Sequence, residues 1–195
     1  MVELGREFHC EGAMQIAGAA STGFVLAFVT LGTAISCVAV EGRSTPDALP
    51  QKVVEEYCRL DLEGARMSSS TWAKVKGLVA WEEEPGWDVV VIVATYRLGK
   101  PRMLGDEVHV PVTFNVLAKF EGDGPLELAE RRERIDYELE RQTNRWVIRG
   151  PIHPPYVSIA TEVRSLRSLY DEEPEGTERK RNLRDAIMQL EALQR

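Results

Sequence analysis

The chain has 195 residues, 44% hydrophobic and 28% charged, a composition that excludes disordered and collagen-like classes and fits one to two domains. Its 24 basic residues against 31 acidic ones give a net charge of −7, which offers no general attraction to a phosphate backbone and sets nucleic-acid binding aside. Cys10, Cys37 and Cys58 lie far apart and only His9, His109 and His153 accompany them, so neither a disulfide framework nor a cysteine-rich zinc site can be built. No metal and no cofactor are expected.

No charged residue occurs between Glu11 and Glu41, and Phe24 to Val40 read FVLAFVTLGTAISCVAV. As a helix this run is about 25 Å long, near the short limit for crossing a hydrocarbon core. Three readings stand open: a secretory signal ending at small residues, a retained N-terminal anchor, or a buried hairpin of the globular core. Arg6 and Arg43 flank the run evenly and give no orientation. Ala34-Ile35-Ser36-Cys37 resembles a lipobox and makes Cys37 a lipidation candidate, although no leucine stands three positions upstream. Residues 1–45 are therefore read as leader or anchor plus linker, with contact to a membrane through 24–40. Residues 46–171 form the main domain and 172–195 a C-terminal amphipathic helix.

Asp47 and Pro50 predict the start of a first helix running to Leu60 or Met67. At 100° per residue Val53, Val54, Tyr57, Leu60, Gly64 and Ala65 share one face, opposite Glu55, Glu56, Arg59, Glu63 and Arg66. Asp61 falls inside the apolar stripe, where a carboxylate needs a donor or a role. Ser68 to Trp72 predicts a capped short helix. Asp88 to Leu98 is the clearest strand, rich in β-branched residues. Val108 to Lys119 alternates apolar and polar residues, Arg134 to Glu140 does the same, and Trp146 to Arg149 returns from a turn at Gln142–Arg145. After the GPIHPPY bend, Val157 to Tyr170 and a segment capped by Thr177 and carrying Leu183, Ile187, Leu190 and Leu193 are helical. One-sided strands in succession predict an antiparallel meander covered by helices, an α+β fold.

The first helix with Val53-Val54 and Tyr57, the junction Asp61-Leu62-Glu63-Gly64-Ala65, Tyr137-Glu138-Leu139 and Arg145-Trp146-Val147-Ile148 resemble the nuclear transport factor two-like superfamily of cone-shaped domains. The resemblance covers about residues 48–160, and the tail helices lie outside its usual pattern. It implies a curved antiparallel sheet covered by the N-terminal helices, with a pocket at the open end of the cone. Tyr57 and Asp61 are then the helix residues that reach the pocket, and Tyr96, Tyr137 and Trp146 its aromatic wall. Asp61 as base and Tyr57 as oxyanion donor could serve proton transfer. The simpler role for Asp61 is to cap the following short helix or to partner the Ser68–Thr71 hydroxyls and amides.

Other features read as structural. His109 is an exposed histidine on the polar side of its strand. WEEEPGW is a solvated turn between core tryptophans, or else a cation or partner site. Arg131, Arg132 and Arg134 are interleaved with Glu130 and Glu133 along a solvated strand edge. The last helix can dock on its own domain or on a second chain. The expected protein is a membrane-associated or exported component of a cell envelope that binds a small apolar or amphipathic ligand or a protein partner. A pocket enzyme of the isomerase, dehydratase or cyclase type and a structural accessory of an envelope complex are the alternatives. An enclosed cavity entered by Asp61 would favour the enzyme, an apolar cavity the binder, and a cone filled by side chains the accessory.

Overall fold

The structure is a computed structural model that describes residues 49–194, within a compact unit spanning Ser44–Arg195. The segment 24–40, Cys37 and the Asp47 cap lie outside the described residues. Among the described residues, no helix is long and apolar enough to cross a membrane.

The fold is α+β. Helix α1 (Pro50–Leu62) leads to a single helical turn α2 (Ser69–Trp72) and a 3₁₀ turn at Lys76–Leu78. Six strands follow: β1 (Val89–Leu98), β2 (Arg102–Leu104), β3 (Glu107–Glu121), β4 (Glu127–Gln142), β5 (Arg145–Gly150) and β6 (Tyr156–Ser158). Helices α3 (Ile159–Glu172) and α4 (Glu178–Ala192) close the chain. Pro50 opens α1 as expected, where its missing N–H costs nothing, and Leu49 precedes it without a side-chain cap. Ser68 accepts from the Ser70 N–H, and Ser158 and Thr177 cap α3 and α4 through their hydroxyls.

The strand order is β5-β4-β3-β1-β6, with β2 paired to β3. The expected all-antiparallel sheet is corrected on one point: β6 runs parallel to β1, with Val91, Ile92 and Val93 opposite Tyr156, Val157 and Ser158. The sheet is thus mixed. Only residues 151–155 connect β5 to β6, which occupy opposite edges. A flat sheet of that width would demand an almost straight link. Three prolines bend it instead, and the sheet curls into a half-barrel, both of whose edge strands meet α1. Register shifts in β1, between β3 and β4, and at the start of the β4–β5 ladder supply the local bending.

Two apolar clusters result. One fills the concave side beneath α1, joining Val54, Tyr57 and Val75 to Val110, Val112, Phe114, Tyr137 and Ile148. The other joins Ile92, Ala118, Phe120 and Val157 to Leu166 of α3 and Leu183, Ala186 and Leu190 of α4. Between Ile92 and Val93 of β1, one residue step is matched by two on β3, Ala118 and Val116, so the register shift turns the end of β3 toward α3 and α4. That explains the uninterrupted VVVIV of β1: Val91 and Val93 belong to the first cluster and Ile92 to the second. The apolar line of α4 is buried against its own unit, and Arg167 of α3 pairs with Glu191 at 2.6 Å. The third predicted strand is longer than Arg134–Glu140, because β4 continues back to Glu127 along β3.

Candidate functional site

Helix α1 sets Tyr57 and Asp61 one turn apart on its buried face, at 0% and 1% exposure. Its end is fixed by backbone bonds from Gly64 N–H to Asp61 O at 2.8 Å and from Ala65 N–H to Leu60 O at 2.9 Å. This pair of bonds needs a left-handed residue, and Gly64 has φ +82°. The helical phase stops there. Arg66 is therefore not on the solvent face with Glu63, as an uninterrupted helix would place it, but turns inward and is 4% exposed.

Arg66 is the hub of the site. Its Nη1 donates to Asp61 Oδ2 at 3.2 Å, and its Nη2 to the His153 carbonyl at 2.6 Å. Nε and Nη2 both donate to Glu84 Oε1, at 2.9 and 2.6 Å, and Trp87 Nε1 donates to that oxygen at 2.9 Å. Asp61 Oδ2 also accepts the Tyr156 N–H at 3.1 Å, tying α1 to the start of β6. His153 Nδ1 donates to the Pro154 carbonyl at 2.7 Å, which leaves Nε2 to accept from the Tyr137 hydroxyl at 2.8 Å. Tyr156 donates its hydroxyl to Glu133. Ring packing closes the set, with Tyr57 edge-on to Trp81, Tyr137 and His153 at centroid distances of 6.4, 5.5 and 6.3 Å.

One guanidinium thus serves two carboxylates away from solvent. Glu84 takes the stronger share, and the Asp61 carboxyl is pushed up to about 7 because burial outweighs the pull of Arg66 and the Tyr156 N–H. Burial and the nearby Arg66 push His153 down to about 4, in keeping with its neutral, hydrogen-bond-accepting Nε2. Burial raises the Tyr57 and Tyr137 hydroxyls well above the ordinary range. Four buried side-chain atoms of this region have no protein hydrogen-bond partner: Tyr57 Oη, Asp61 Oδ1, Trp81 Nε1 and Glu84 Oε2. Native interiors leave few such groups.

A groove of about 480 Å³ opens beside this cluster. Met67, Trp72, Trp87, Val90 and Pro155 supply apolar wall, while Arg66 and Glu84 belong to both groove and cluster. Tyr57 and Asp61 are not part of the groove lining. Among the described residues no cluster of histidine, cysteine and carboxylate could hold a metal ion, and between Asp61 and Glu84 the cationic place is filled by Arg66.

The residues expected from sequence divide accordingly. Tyr57, Asp61 and Tyr137 come together. Tyr96 is half-buried on β1 and reaches the ring set only through Phe114, at 6.0 Å, while Trp146 packs at the margin of the concave core. The expected Asp61 cap is corrected: Ser68 caps α2 itself, and Asp61 bonds to Arg66 and Tyr156. His109, expected to be exposed, is only partly so, and Glu107 lies 3.6 Å away on the same strand. Arg66, Glu84, His153 and Tyr156 were missed. Glu84 sat in an acidic turn that reads as solvated, and His153 in a proline bend; only the misfit of Asp61 called for a buried donor such as Arg66. No family model, no curated protein and no solved structure matches this chain.

Proposed function

We propose that this chain is a ligand-binding module of the nuclear transport factor two-like kind, held at a cell envelope by residues 24–40. Its ligand is a small amphipathic molecule whose apolar body lies between Trp72 and Trp87. The polar end donates hydrogen bonds to the Glu84 carboxylate. The observation that carries this reading is the groove of about 480 Å³ with apolar walls, whose lining includes Glu84, a residue that keeps one buried oxygen without a protein partner. That volume is in the usual range for small-molecule sites, which combine apolar walls with a few polar groups. Tryptophan faces beside Glu83 and Glu84 suit a donor-bearing or cationic head group and disfavour an anionic one. The sealed positions of Tyr57 and Asp61 disfavour proton transfer, because a substrate must touch its base. Side chains fill the cone itself, which by the criterion above favours the accessory role, so the binding reading rests on the Trp72–Trp87 groove outside the cone.

Calorimetric titration of the full chain with octylamine, octanol and octanoate, three head groups on one tail length, tests the reading. Octylamine and octanol are expected to bind saturably, octanoate at least tenfold more weakly, and Trp72→Ala and Trp87→Ala each to weaken octylamine tenfold or more. Saturable binding of none of them, or preference for octanoate, would overturn it.

A further inference from the structure

We infer that the outer face of the curled sheet carries a binding groove for a phosphate group, separate from the Trp72–Trp87 groove and independent of it. The strands bring together there what the sequence scatters. Thr95 of β1 lies opposite Asn115 of β3, which lies opposite Arg132 of β4. One step along, Arg97, Thr113 and Arg134 form a second cross-strand row. All six alternate with buried or inward residues such as Phe114, so they share the face turned away from the concave core. A groove of about 510 Å³ lies over this face, lined by Thr95, Tyr96, Arg97, Thr113, Asn115 and Arg132.

The chemistry of the lining is one-sided. It offers two guanidiniums, two threonine hydroxyls and a carboxamide, and no carboxylate; the Tyr96 side chain itself turns to the other face, its hydroxyl donating to the Glu55 carbonyl. Arg134, by contrast, is held by Asp136 at 3.2 Å and Arg131 by Glu133 at 2.9 Å. Among the described residues no ion pair engages Arg97 or Arg132, in a chain with 31 acidic residues against 24 basic ones. Asn115 Nδ2 donates to Thr95 Oγ1 at 2.7 Å, so the Thr95 hydroxyl proton is directed elsewhere and can be given to a ligand. Arg97 and Arg132 stand on strands separated by β3 and in adjacent rows, roughly 12 Å apart at the backbone, a span that two arginine side chains close from opposite sides onto one group. A planar monoanionic carboxylate uses two oxygens; a tetrahedral dianion offers enough acceptors for both guanidiniums and the hydroxyls between them. The groove also has room for the organic part that bears the phosphate.

Glycerol phosphate titrated into the full chain and followed by ³¹P line width and shift tests the site. Vesicles of phosphatidylcholine with and without phosphatidic acid, assayed by cosedimentation, separate a soluble phosphomonoester from a lipid head group. Glycerol phosphate is expected to bind, with Arg97→Gln and Arg132→Gln each weakening it at least tenfold and Arg149→Gln, which removes the same charge from a paired arginine elsewhere on the surface, weakening it less than twofold. Dependence on Arg97 and Arg132 in the vesicle assay would assign the phosphate to lipid, and dependence only with glycerol phosphate to a soluble molecule. Binding of neither probe, binding unaffected by both substitutions, or an equal loss in Arg149→Gln would overturn the proposal.

Discussion

Asp61 shows how a single side chain can hold three segments in register. Its Oδ2 joins Arg66 of the post-helix turn and the Tyr156 N–H of β6. Asp61→Ala leaves Arg66 Nη1 and the Tyr156 N–H without an acceptor in the interior, and a loss of about 3 kcal/mol is expected at pH 8, where the Asp61 carboxyl is ionised. Arg66 stays bonded to Glu84 in either variant, but Asp61→Asn also keeps an oxygen for the Tyr156 N–H, so less than half that loss is expected. Urea unfolding of the two variants checks this, and equal losses would show that the charge of Asp61, not its hydrogen bond to β6, matters. The sequence flagged Asp61 because it interrupts an apolar stripe. It concealed Arg66, because a periodic projection carries straight through Gly64 while the backbone there does not.

At the scale of elements, the junction of α1 with α3 decides where the hub points. A Cβ on Gly64 would come within 2.8 Å of Thr161 Cγ2, and φ +82° disfavours any L side chain. Thr161 also donates its hydroxyl to the Leu62 carbonyl at 2.8 Å, so α3 grips the end of α1. Gly64→Ala is expected to cost about 2 kcal/mol, whereas Gly77→Ala, whose added methyl meets nothing, should lie within about 0.5 kcal/mol of the parent by thermal unfolding. Elements with internal periodicity were legible: β3 buries Val108, Val110, Val112, Phe114, Val116 and Ala118, the residues its alternation selects. Strand β6 was not, since three residues acquire strand geometry only by meeting β1, more than 60 positions earlier in the chain. No local pattern records such a meeting.

For the whole molecule, buried titratable groups set a pH profile of definite sign. Asp61 and Glu162 are both pushed up to about 7 by burial, from ordinary values of 3.8 and 4.5. Their folded forms hold protons that the unfolded chain releases, so their contribution is intact in acid and is lost as pH rises toward 7. His153, lowered from 6.5 to about 4, acts oppositely and removes stability as pH falls through that window. The two effects oppose each other below about pH 6.5, and only the carboxylates act between there and neutrality. Glu162→Gln removes one of them, and at pH 8 it is expected to gain up to about 3 kcal/mol over the parent, shrinking toward zero near pH 4.5. A gain independent of pH would place the effect outside proton linkage. Curling of the sheet has its own consequence, through the five residues that cross from one edge to the other. This strap donates no ladder of its own, yet Val91 bonds to its Pro155 carbonyl and Arg66 to its His153 carbonyl. It works as a drawstring: drawing β5 away from β6 would pull on both of these bonds at once.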